Sequence, residues 1–69
     1  MDFGQALREL KQGNKIARRG WNGKNMYLYL DSFIGCDPCI IMYTAQGTHQ
    51  PGWLASQADM LSEDWESIP

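Results

Sequence analysis

Cysteine, histidine, basic charge and long apolar runs are all scarce in this sequence, and each scarcity removes a class of protein. Two cysteines in 69 residues make at most one small loop, and a structural zinc site wants four ligands. Neither a disulfide framework nor zinc therefore staples the chain. The one histidine, His49, stands beside Gln50-Pro51-Gly52 with no other ligand at metal spacing, and reads as an ordinary solvated side chain. No catalytic constellation, metal site or cofactor signature is legible. No apolar run nears the ~20 residues of a membrane span, and no signal peptide precedes the amphipathic start. A soluble intracellular protein is the expectation. Six basic residues against eight acidic ones give a net charge of −2. That balance argues against duplex DNA or RNA, whose binding rests on neutralising many phosphates. A small phosphorylated ligand needs only a few well-placed donors and stays open.

What the chain does have is aromatic. Three Trp and three Tyr are many for this length, and aromatics on exposed elements mark binding surfaces. The length fits one domain, residues 1–69. A domain of about 60 residues hides only about 60% of the surface its unfolded chain exposes, so association with other copies is a natural source of extra burial.

Phe3, Ala6, Leu7 and Leu10 follow the i, i+3, i+4, i+7 spacing of one helical face. Asp2 caps the first turn, Gln5 reaches back to it, and Gly13 suits the left-handed position that closes a helix over 3–12. Lys15 to Arg19 reads as a short strand. Met26 to Leu30 reads as a second, with Met26, Leu28 and Leu30 on one face and Tyr27, Tyr29 and Asp31 on the other. Residues 32–38 are a loop. Cys39 to Thr44 is a third strand, apolar on both sides, and Thr48 to Gln50 pairs briefly before Pro51-Gly52. Ser56 with Asp59 is a capping-box pattern opening a second short helix. Trp65 to Ile68 is the last strand, with Trp65 in the core. The expected class is α+β: an N-terminal helix packed on a small antiparallel sheet, with a short second helix before the last strand. One helix covers only one face of the doubly apolar third strand. A second copy is the simplest cover for the other, so a homo-oligomer is expected.

Arg18-Arg19-Gly20-Trp21-Asn22-Gly23-Lys24 is the leading binding-site candidate. Asn-Gly is a strong hairpin signal, because both residues tolerate the positive φ of a type I′ turn. Trp21 there suits either a flat ligand or packing over the sheet edge. Arg18 and Arg19 point to opposite sides of the sheet, so at least one lies near whatever the loop binds. Ser56 and Gln57 form a second polar cluster, although capping explains Ser56 equally well. Glu63 and Asp64 read as solvated charge. Cys36-Asp37-Pro38-Cys39 leads into a strand rather than opening a helix, which leaves these residues as loop thiols.

The segment Ala17 to Met26 and the segment Trp53-Leu54-Ala55-Ser56-Gln57-Ala58-Asp59-Met60-Leu61-Ser62-Glu63-Asp64-Trp65, behind the amino-terminal helix, closely resemble the second Thoeris anti-defence family of small phage-encoded proteins. The likeness spans nearly the whole chain and is weakest over residues 31–50. It implies a non-enzymatic sponge. Similar proteins bind the cyclic ADP-ribose derivative made by a bacterial immune sensor and keep it from activating its effector, in the cytoplasm of the infected host. Some relatives also hold cyclic oligonucleotide signals. The family implies a homotetramer with pockets between protomers. Carried onto this chain, Trp21 stacks on a base, and Asn22 and Gln57 bond base or ribose edges. Arg18, Arg19 or Lys24 face the phosphates, and Ser56 or Asp59 meet ribose hydroxyls. The Trp53-to-Asp59 segment then completes a site of which the Trp21 loop is half. A protein inhibitor of a host effector and a cyclic nucleotide phosphodiesterase are the alternative readings.

Overall fold

A computed structural model describes residues 1–21, 25–32 and 34–69. Helix α1 spans Phe3–Lys11 and opens with the expected capping box. The Gln5 N–H donates to Asp2 Oδ1 at 2.8 Å, and the Asp2 N–H donates to Gln5 Oε1 at 3.0 Å. Gly13 follows the helix at φ 92°, a conformation that side chains with a Cβ rarely adopt. Strands β1 (Lys15–Arg18), β2 (Tyr27–Asp31), β3 (Cys39–Tyr43) and β4 (His49–Pro51) come next, then α2 (Gln57–Leu61) and β5 (Trp65–Ile68). The sheet order is β4-β3-β2-β1-β5, with every neighbouring pair antiparallel. This is the α+β arrangement anticipated, with the brief pairing expected at 48–50 present one residue on as the edge strand β4. The hairpin turn expected at Asn22-Gly23 lies outside the described residues.

Register divides the sheet into two sides. Ile16 faces Leu28, and Leu28 faces Met42; these stand on the side covered by α1. Ala6 and Leu10 of the helix, Ile16, Leu28 and Trp65 form the buried core, with Phe3, Leu7, Trp21, Ile40, Met42 and Trp53 packed at its margin. Helix periodicity and strand alternation thus meet in one layer.

The other side is aromatic. Tyr27 stacks on its cross-strand partner Tyr43 with centroids 4.9 Å apart and planes at 24°. Lys15 Nζ lies 4.8 Å from the Tyr27 centroid. Tyr29 and Tyr43 approach the His49 ring at 5.8 and 5.0 Å, and the Tyr29 hydroxyl pairs with His49 Nδ1 at 2.8 Å. Desolvation, with Asp31 nearby, pushes the Tyr29 phenol up. His49 is exposed, as read from the sequence, and its ring also joins this row. Ile41 is flanked across strands by Tyr29 and Pro51 and is only 2% exposed in a single chain. The cover that β3 requires on this side comes from the chain itself, which removes that particular reason for expecting a partner.

Leu28→Ala should lower the unfolding free energy by about 2–5 kcal/mol, because it removes a fully buried side chain from a packed layer. Leu54→Ala, at a side chain 89% exposed, should change it by less than about 0.5 kcal/mol. Urea unfolding of both variants measures the contrast.

Candidate functional site

The three indoles converge on one corner. Trp65, 2% exposed, receives Trp21 edge-on at 5.4 Å and 80°, Trp53 at 6.2 Å and 84°, and Phe3 at 5.4 Å. Its Nε1–H donates to the Asp59 carbonyl at 2.9 Å, which pairs the one polar atom of a buried indole. Trp21 and Trp53 are half-buried and 6.5 Å apart. Trp21 is thus packing for the core margin, as one of its two sequence readings holds. Its Nε1–H donates to Asp59 Oδ1 at 3.3 Å.

Asp59 and Asp64 share the Arg18 guanidinium. Arg18 NH1 donates to Asp59 Oδ1 and Nε donates to Asp64 Oδ1, both at 2.9 Å. Side-chain exposures of 17%, 13% and 27% for Arg18, Asp59 and Asp64 shelter these pairs more than an ordinary surface bridge. Asp59 also completes the expected capping box of α2. The Ser56 N–H donates to its Oδ2, and the Asp59 N–H donates to Ser56 Oγ, each at 3.1 Å. Burial disfavours ionised Asp59, yet the Ser56 N–H, Arg18 and Trp21 outweigh it and hold the carboxyl below the ordinary value. Asp64 is held low chiefly by Arg18, against partial desolvation, with help from the Gly20 N–H.

Asp64 corrects the sequence reading, which left it as solvated charge. Its Oδ2 accepts from the Gly20 N–H at 2.8 Å, and its carbonyl accepts from the Arg19 N–H at 3.1 Å. A Cβ on Gly20 would stand 2.7 Å from that Oδ2. Glycine is needed here for close approach. Partners 41 and 46 positions from Arg18 leave no local signal in the sequence.

Beside this corner lies a concavity of ≈ 790 Å³, within the roughly 300–1,000 Å³ of small-molecule sites. Arg18, Arg19 and Trp21 line it, with Asn25, Met26, Tyr27 and Tyr43 on one flank and Glu66 to Pro69 on another. Trp53, Ser56, Gln57 and Asp59 do not line it, and Asn22 and Lys24 lie outside the described residues. Gln57 is exposed at the start of α2. The two arginines divide as their alternation predicts: Arg18 turns to the two aspartates, while exposed Arg19 faces the concavity. Sequence reasoning missed Tyr43, Glu66 and Ser67 as lining residues. Only the pairing of β3 with β2 and of β5 with β1 brings them there. Among the described residues no group of three His, Cys, Asp or Glu side chains gathers in a metal-holding arrangement. Cys36 and Cys39 are free thiols, exposed and half-buried respectively. No described helix is long and apolar enough to cross a membrane.

Comparison with known proteins agrees with the resemblance. Residues 1–68 match the family described as Thoeris anti-defense 2-like domain. A curated protein of Bacillus phage SP01, Thoeris anti-defense 2, is 38% identical over an 85-residue alignment covering 99% of this chain and 94% of that relative.

Gly20→Ala should lower stability by about 1 kcal/mol through loss of the bond to Asp64. The same change in an Asp64→Ala background should cost almost nothing, because the obstructing oxygen is gone; a double-mutant cycle by urea unfolding measures the coupling. Acid should act on the same network. Both aspartates have folded pKa values below the unfolded value of 3.8, so their contribution is complete above that value and disappears as pH falls through the folded values. Thermal melts should show Tm level above about pH 5 and falling below about pH 4, with a shallower fall in Arg18→Met.

Proposed function

The chain belongs to the Thoeris anti-defense 2-like family, and from that premise we propose that it is an anti-defence protein that sequesters a cyclic nucleotide immune signal without cleaving it. The observation that carries this reading is the concavity beside Arg19 and Trp21, which combines aromatic walls, a cation and hydrogen-bonding edges. Cyclic ADP-ribose isomers carry a purine, a pyrophosphate and ribose hydroxyls, and each has a matching type of group in that wall. Arg19 faces the phosphates, where a charge-assisted bond is stronger than a neutral one. Trp21 offers the part of its ring that lines the cavity, where stacking on a base contributes about 1–3 kcal/mol. Trp53 packs against Trp21, Asp59 holds its indole N–H, and Asp59 with Ser56 caps α2 from behind. Cyclic oligonucleotides are the second ligand class this reading admits.

Sequestration is favoured over hydrolysis because, among the described residues, no His, Cys or Asp accompanies Glu66 in the wall of the concavity and no group of three such side chains gathers to hold a metal. His49 is paired with Tyr29, and Asp59 and Asp64 are held by Arg18. The working form of the proposal is a homotetramer in the cytoplasm of the infected bacterium. Leu54, Leu61 and Met60, 89%, 78% and 41% exposed around α2, are apolar surface that association would hide.

Calorimetry with cyclic ADP-ribose isomers and cyclic dinucleotides tests this directly. One ligand should bind with a dissociation constant near the nanomolar range, about −12 kcal/mol, and should be recovered intact from heat-denatured complex. Arg19→Ala should weaken it at least tenfold with Tm unchanged. Sedimentation of the same sample should show a tetramer; a monomer at micromolar concentration overturns the assembly, and a cleaved ligand overturns sequestration.

A further inference from the structure

We infer that Glu66 is the carboxylate that accepts hydrogen bonds from the ligand's ribose hydroxyls, with Arg19 facing the phosphate in the same concavity. The inference rests on the nucleotide reading above and gives the ribose contact to a residue other than Ser56 or Asp59, to which the reading of the sequence assigned it. A ribose diol is a pair of O–H donors, and it needs an acceptor whose lone pairs are open. Asp59 is poorly placed for that task. Its Oδ1 accepts from Arg18 and Trp21, its Oδ2 accepts from the Ser56 N–H, and it does not line the cavity. Asp64 spends one oxygen on Arg18 and the other on the Gly20 N–H.

Glu66 differs from both. It pairs in register with Ala17 across β1 and β5, lines the concavity with it, and is exposed. No hydrogen bond or ion pair among the described residues engages its side chain, nor that of Arg19. The charge of Arg18 is already met by two aspartates. The wall thus offers an unengaged cation and an unengaged carboxylate. The carboxylate repels phosphate placed against it, so a ligand carrying both groups has one favoured orientation.

The test pairs Glu66→Gln with cyclic ADP-ribose isomers and with analogues that each lack one ribose hydroxyl, by calorimetry. Glu66→Gln should weaken the parent ligand about tenfold, because it exchanges a charged acceptor with two oxygens for a neutral amide with one and puts an NH2 donor against a hydroxyl. It should weaken one deoxy analogue less than threefold, because that analogue has already lost the partner. Tm should not move, since the residue is exposed. Equal weakening of the parent and every analogue, or no weakening of the parent, overturns the assignment while leaving the nucleotide reading intact. Failure of the unaltered protein to bind any isomer overturns that reading, and the assignment with it.

Discussion

The carboxylate of Asp59 is the joint on which the rest of the corner depends. Its side chain accepts from Arg18 of β1, from Trp21 of the following loop and from the Ser56 N–H that opens α2. Its carbonyl accepts a hydrogen bond from the indole N–H of Trp65 in β5. One residue therefore ties both central strands of the corner to the short helix. A five-residue helix is far below the length that persists alone; α2 exists because its capping residue is also wanted by the core. Among the described residues, every buried polar side-chain atom finds a partner. A low internal dielectric makes such a network stronger when complete and costly when broken.

Legibility of the fold followed the range of the interactions. The capping boxes at Asp2–Gln5 and Ser56–Asp59 span three residues, so the sequence displayed them whole. The same holds for the apolar face of α1 and for the left-handed Gly13. Trp65 was readable as core from its place in a short strand. The Arg18–Asp59–Asp64 network was not readable, because it joins segments that only the β1–β5 pairing brings together. For the same reason Asp64 looked like solvent-facing charge. The aromatic face of β2 was visible in Tyr27 and Tyr29, whereas its continuation through Tyr43 and His49 required the register of β3 and β4. The candidate site was half legible. Its arginines and Trp21 stood in one segment, but the opposite wall from Glu66 to Pro69 came from the far strand.

The two sides of the sheet have separate tasks. The helix side holds the apolar core, and its polar groups are used internally. The open side carries tyrosines whose ring faces are taken by one another and by Lys15, which makes it a stiff surface rather than an adaptable one. A surface whose side chains are already ordered costs little further ordering on binding. Arg19, just past the end of β1, and Glu66, within β5, stand at the border, and among the described residues neither side chain has a partner.

The pairing of β5 with β1 also sets the order of events in folding. The largest core side chain, Trp65, arrives with the strand that must return across residues 19–64 to dock beside β1. Until that loop closes, the core under α1 lacks Trp65, and the Asp59 carbonyl lacks its indole donor. Distant contacts of this kind delay the rewarding step and favour an all-or-none transition. A nascent chain would hold no partial pocket. The concavity could form only once β5 has emerged and closed the sheet, because Glu66 to Pro69 make one of its walls.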